Sequence, residues 1–188
     1  MRIISGSMRG TKLFTLEGEN TRPTLDRVKE ALFSKINERL YLSNVLDLFS
    51  GSGALGLEAI SRGASKAVLC DHSREAIKII KQNITKTKTE NNTLLLNCDF
   101  KKAILEIKTK YKDLNFDIVF LDPPYKTNYA EESVDLIINN DLLNEDGIIV
   151  VETDDKDKVI NNLNSELVNI YDIKKYGRVY LLFLKRKI

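Results

Sequence analysis

Apolar residues along this chain follow two alternating rhythms. Short unbroken runs rich in Val, Ile, Leu and Phe fall at 45–49, 66–71, 93–97, 116–121 and 147–152. Between them the apolar positions recur at helical spacing, over 54–62, 74–86, 100–110, 130–140 and 156–163, as with Ile77, Ile80 and Ile84. Continuous apolar runs are the mark of strands covered on both faces. Their alternation with helices predicts an α/β fold, a mostly parallel sheet with helices on either side. Two further strands, 167–173 and 178–185, flank Lys174-Lys175-Tyr176-Gly177 and predict an antiparallel hairpin, for seven strands in all. Ahead of this core, 2–5 and 11–16 read as a small hairpin. A helix over 24–40 follows, capped by Thr24, with Leu25, Val28, Leu32, Ile36 and Leu40 on one face. One domain is expected, an N-terminal extension at 1–42 and a core at 43–188.

Chemistry collects where these strands end, which is where open α/β sheets bind ligands. The first strand runs into Asp47-Leu48-Phe49-Ser50-Gly51-Ser52-Gly53-Ala54-Leu55-Gly56. Gly51, Gly53 and Gly56 spell G-x-G-x-x-G, a turn that lets backbone approach a ligand. Asp71, at the end of the second strand, would accept from ribose hydroxyls of either a nicotinamide dinucleotide or S-adenosyl-L-methionine. Asp47 decides between them, because a carboxylate beside the turn suits the ammonium of a methionine moiety and repels a pyrophosphate. Asp99, after the third strand, is placed to accept from an adenine amine, with Phe100 against the ring, and equally to cap the next helix.

The fourth strand ends in Asp122-Pro123-Pro124-Tyr125. Two prolines stop a strand, since proline lacks a backbone donor and fixes φ. The flanking carboxylate and aromatic ring suit one chemistry, alkylation of an amine on a planar ring. Such a nitrogen is a poor nucleophile because its lone pair is delocalised. Asp122 and the Pro123 carbonyl would grip its two N–H groups, and Tyr125 would stack on the base. The expected reaction is direct in-line transfer, with positioning supplying most of the rate.

Composition narrows the setting. No apolar run approaches the length of a membrane span, and the first residues lack the apolar core of a signal peptide, so a cytoplasmic protein is expected. Cys70 and Cys98 read as buried free thiols. His72 is the single histidine, which argues against zinc and against histidine acid–base catalysis. Net charge is +2, unevenly spread. Residues 1–42 carry eight Lys/Arg against five Asp/Glu, residues 174–188 six against none, and the middle 15 against 22. Basic ends flanking an acidic body point to a phosphate-binding surface beside the site, or to lysines that only aid solubility.

These motifs together resemble class I S-adenosylmethionine-dependent methyltransferases, whose Rossmann-like sheet ends in an antiparallel hairpin. Arg2-Ile3-Ile4-Ser5-Gly6, Arg9-Gly10 and Thr21-Arg22-Pro23-Thr24-Leu25-Asp26-Arg27-Val28-Lys29-Glu30-Ala31-Leu32-Phe33 narrow the resemblance to the bacterial RsmD family. The stretch 47–59, with Phe49 and Ser50, matches its cofactor loop, 122–125 its catalytic loop, and Tyr176-Gly177 its last hairpin. Arg178-Val179-Tyr180 departs from the expected Thr-containing strand start. The resemblance implies methylation of guanine N2 in small-subunit (16S) ribosomal RNA, by a monomer that needs no metal and meets its RNA in the assembling subunit. Arg22, Arg27, Lys126 and Tyr129 are the expected substrate contacts. Competing readings are an adenine-N6 methyltransferase, a protein-glutamine methyltransferase, a nicotinamide oxidoreductase and a non-enzymatic RNA-binding module.

Overall fold

Seven strands form one sheet in the order β3-β2-β1-β4-β5-β7-β6. They are β1 (Asn44–Asp47), β2 (Lys66–Asp71), β3 (Thr93–Asn97), β4 (Phe116–Leu121), β5 (Leu143–Thr153), β6 (Val168–Tyr176) and β7 (Val179–Arg186). The computed structural model describes residues 1–16, 23–124 and 127–187. Strands β1 to β5 run parallel, and β7 lies antiparallel between β5 and β6. This is a Rossmann-like α/β fold with the expected C-terminal hairpin.

Six helices cover the sheet: α1 (Pro23–Lys35), α2 (Ala54–Ser61), α3 (Arg74–Thr87), α4 (Phe100–Lys110), α5 (Tyr129–Asn139) and α6 (Lys156–Asn162). Their buried residues divide the core into two faces. Val28, Leu32 and Phe33 of α1, with Leu57 and Ala59 of α2 and Ile77 and Ile80 of α3, pack on one side. Ala103 and Ile107 of α4, Val134 and Ile137 of α5 and Val159 of α6 pack on the other. The chain after β1 therefore turns to one face, and the chain after β4 to the opposite face. These two strands are neighbours, with Asp47 level with Phe120. Divergence of their connections opens a crevice between their carboxyl ends.

The departures from expectation have local causes. Helix α1 begins at Pro23, one residue ahead of the expected cap position Thr24. Proline suits a first helical position because its missing donor would be unpaired there anyway. The helix also stops at Lys35, short of Leu40, and tightens into a 3-10 turn at Asn37–Arg39 that still buries Ile36 and Leu40. Strand β5 starts four residues before Gly147. Leu143 pairs with Phe116 ahead of an irregularity that the polar run Asn144-Glu145-Asp146 hides from the sequence pattern. The small N-terminal hairpin shrinks to one bridge, Arg2 with Lys12, framed by backbone bonds from Ile3 to Thr11 (2.9 Å) and from Leu13 to Met1 (3.0 Å).

What holds that N-terminal segment is a buried charge cluster. Glu58, on α2 and fully buried, accepts from the Ile4 amide (2.7 Å), the Ser5 amide (3.0 Å) and the Arg62 Nε (2.8 Å). The Lys29 Nζ of α1 lies 3.3 Å from the same carboxylate and donates to the Arg2 carbonyl at 2.5 Å. Burial pulls the Lys29 pKa down, against the opposing pull of Glu58. One carboxylate thus joins three pieces of chain. Glu58→Ala is expected to cost roughly 3–5 kcal/mol, because it strands a buried ammonium and two amides. Urea unfolding of this variant measures the cost, and a loss under about 1 kcal/mol would show the cluster to be incidental.

Candidate active site

The crevice at the carboxyl ends of β1 and β4 is a cleft of about 1260 Å³. It is lined by every sheet-end acid singled out in the sequence: Asp47, Asp71, Asp99 and Asp122. Phe49, Ser50, Gly51, Phe100, Pro123, Pro124 and Tyr129 line it too. Gly53 supports the turn from beneath, with φ of +79° and its Cα facing Leu69 and Ile80. Gly56 is required by close packing, since a Cβ there would lie 2.2 Å from the Leu69 side chain. That contact sets α2 hard against β2.

The loop is held by its own donors. The Ser50 amide bonds the Cys70 carbonyl (2.9 Å), the Gly53 amide bonds the Ser50 carbonyl (2.7 Å), and the Gly51 amide bonds Asp71 Oδ2 (2.9 Å). Asp71 Oδ1 accepts from the Ser73 amide at 2.8 Å. These amides are spent within the fold, so the turn offers little to a pyrophosphate. Each Asp71 oxygen keeps acceptor capacity for a second donor such as a ribose hydroxyl.

Asp47 differs from its neighbours. It is 1% exposed, and neither carboxylate oxygen has a hydrogen-bond partner of good geometry among the described residues. Burial pushes its carboxyl up to about 7; the Gly56 and Phe49 amides offset part of this, and the charge of Asp71 adds to it. An unpaired buried carboxylate is costly unless a cation meets it. The ammonium of a methionine moiety is such a cation, so the residues present fit S-adenosylmethionine.

At the adenine end, Asp99 caps α4 through the Lys102 amide (3.0 Å), and that bond is the main cause of its lowered pKa. It is half-exposed beside Phe100, and its other oxygen, Oδ2, lies 3.6 Å from the Lys102 ammonium. Three aromatic rings meet here. Phe100 lies 5.6 Å from Phe49 and 5.1 Å from Tyr129, and Phe49 and Tyr129 are nearly parallel at 6.4 Å. Tyr129, expected beside the substrate base, lines the cleft and packs against both of the other rings. Cys98, expected to be buried, is half-buried on the cleft wall, whereas Cys70 is buried and donates to the Cys98 carbonyl.

The other end of the cleft is the mouth. Asp122 is exposed there and Pro123 is buried behind it. The Thr127 hydroxyl bonds the Pro124 carbonyl (2.8 Å), and Lys158 of α6 bonds the Thr127 carbonyl (2.7 Å). Tyr125, Lys126 and Arg22 lie outside the described residues. Arg27 is exposed on α1 and is not part of the cleft wall; Val28, Lys29 and Leu32 are. The mouth also includes Glu152 and Asp154 from the end of β5 and the turn 176–179 between β6 and β7. Sequence reasoning did not assign Glu152 or Asp154 a role. The signal for them was their place at the end of a fifth parallel strand.

A family profile described as "Conserved hypothetical protein 95" matches residues 1–185. A relative named "Ribosomal RNA small subunit methyltransferase D", from Haemophilus influenzae, is 38% identical over 84% of this chain and 80% of its own. "Putative rRNA methyltransferase YlbH" of Bacillus subtilis is 39% identical over 82% of this chain and 83% of its own. This chain belongs to the RsmD family. The solved structure described as "Putative methyltransferase yhhF from Escherichia coli" superposes on it with a TM-score of 0.83 at 31% identity, covering 100% of this chain and 98% of that one. The RsmD match extends through the N-terminal segment docked on Glu58 as well as the sheet.

The pH behaviour of Asp47 is testable without ligand. An ordinary aspartate ionises near 3.8, whereas this one does so near 7. Between those values the folded protein keeps a proton that the unfolded chain releases, so this group's stabilisation is full below pH 4 and is lost as pH rises through 7. Asp47→Asn is expected to match wild type near pH 4 and to exceed it by roughly 1–3 kcal/mol at pH 8. Denaturant melts across that range check this. A difference independent of pH would mean that Asp47 is not desolvated.

Proposed function

We propose that this protein transfers a methyl group from S-adenosylmethionine to the exocyclic N2 of a guanine in small-subunit ribosomal RNA. The observation that carries the reading is one cleft with two unlike acids. Asp47 is buried, raised and unpaired in good geometry beside the glycine turn, and Asp122 is exposed at the adjacent strand end. The relatives named as ribosomal RNA methyltransferases supply the substrate class, and the RsmD resemblance of the N-terminal segment supplies the base.

Asp47 would hold the cofactor's ammonium, Asp71 its ribose, and Asp99 with Phe49 and Phe100 its adenine. Bound there, the cofactor supplies an electrophilic methyl group. Asp122 and the Pro123 carbonyl hold the target amine by its N–H groups, and Asp122 stabilises the positive charge that develops on nitrogen. Tyr125 stacks on a base taken out of its helix. The proton leaves after transfer, so the lone histidine, exposed His72, is not needed as a base. The protein would act as a cytoplasmic monomer on the assembling subunit. Among the described residues no helix is long and apolar enough to cross a membrane, and no group of His, Cys, Asp and Glu is placed to hold a metal ion. The basic N-terminal segment, with Arg22 and Arg27, and Lys126 at the mouth would meet RNA phosphates.

Asp122→Asn should leave cofactor affinity unchanged and lower the single-turnover rate on unmethylated small subunits by about 10²-fold or more. Digestion of the product should give N2-methylguanosine. A normal single-turnover rate would remove Asp122 from the chemistry, and N6-methyladenosine as the product would replace guanine with adenine as the target.

A further inference from the structure

The target amine has a neighbour on the ring, and the two candidate bases differ there. In guanine the ring atom beside the amine carries a proton, N1–H. In adenine the corresponding N1 is a lone pair. A carboxylate next to the amine-binding acid would therefore accept from guanine and repel adenine.

Such a carboxylate is present. Leu121 of β4 pairs with Val151 of β5 in parallel register, so the next residues, Asp122 just past the end of β4 and Glu152 still within β5, follow at the same level of the sheet. Both line the same cleft. Glu152 is also held from its other side, where it pairs with Leu181 of β7. Its backbone is thus held inside β5 by the pairing with β7, which is the rigidity a discriminating group needs. Burial raises its carboxyl to about 7, and the N1–H of guanine, by donating to the carboxylate, favours the ionised form that discriminates against adenine.

We propose that Glu152 is the base-selecting residue, accepting N1–H of the target guanine while Asp122 and the Pro123 carbonyl hold N2. The inference rests on the guanine-N2 reading above. No bond changes at Glu152; it acts on binding and on the choice between bases. The Glu152→Gln variant is nearly isosteric, and its amide can donate to the N1 lone pair of adenine or accept from guanine. Its preference for guanine should accordingly weaken.

The test uses small subunits carrying unmethylated rRNA, in which the methylated guanine is first mapped, and a second preparation with that guanine replaced by adenine. Single-turnover rates are measured for wild type, E152Q and E152A, with cofactor affinity measured in parallel. Wild type should act on the guanine subunits alone. E152Q should keep its cofactor affinity and lose at least about tenfold on guanine, the scale of one good base contact. Its guanine-to-adenine rate ratio should also narrow by at least about tenfold. E152A should lose guanine activity without gaining adenine activity. An unchanged ratio in E152Q, or equal loss on both bases, would overturn the assignment. Wild type yielding N6-methyladenosine from natural subunits would instead overturn the guanine reading, and Glu152's role with it.

Discussion

The site depends on one constraint of chain topology. Neighbouring parallel strands β1 and β4 send their following segments to opposite faces of the sheet, and a cleft lies at their carboxyl ends. The acids at those ends occupy different depths of the resulting cleft. Asp47 sits at the bottom, where water is excluded and a negative charge is unfavourable. Asp122 sits at the rim, exposed to solvent. A single sheet end thereby provides a buried acid and an exposed acid a few residues apart in register, the two positions that the proposed reaction requires.

The remaining elements complete that cleft. The Lys29–Glu58–Arg62 cluster fixes the first residues of the chain over α2, which brings Met1, Thr15 and Leu16 to the cleft wall. The β6–β7 turn brings Tyr176 and Arg178 to the opposite side. The antiparallel hairpin is thus more than an edge to the sheet. Its strand β7 lies against β5 and braces Glu152, while its tip borders the mouth. Arg178, where the family pattern leads one to expect a threonine-bearing strand start, places an exposed guanidinium at the entrance, a group well suited to an RNA phosphate.

Much of this was legible in the sequence because the signals were local. The runs 66–71, 93–97 and 116–121 coincide with β2, β3 and β4, since a strand covered on both faces needs continuous apolar residues. The glycine turn and the four sheet-end acids were legible for the same reason, as fixed offsets from strand ends. What was not legible depends on contacts between distant segments. The Glu58 cluster unites residues 54 positions apart, and nothing in the local pattern marks a glutamate on α2 as fully buried. The ring contacts of Tyr129 were not legible because its partners, Phe49 and Phe100, come from two other strand ends. Glu152 only closes the run 147–152 in the sequence pattern, and its nearness to Asp122 emerges from the β4–β5 register.

The most direct test of the account is calorimetry of S-adenosylmethionine binding at pH 6 in buffers of differing ionisation heat. At that pH Asp47, with a pKa raised to about 7, is mostly protonated in the free protein. An ammonium seated against it should expel that proton, so binding should release close to one proton in wild type and almost none in Asp47→Asn. Binding should also be weaker in the variant, and a nicotinamide dinucleotide should not compete. Tight binding without proton release in wild type, or release that persists in Asp47→Asn, would contradict the central claim that the buried, unpaired carboxylate is the cofactor's anchor.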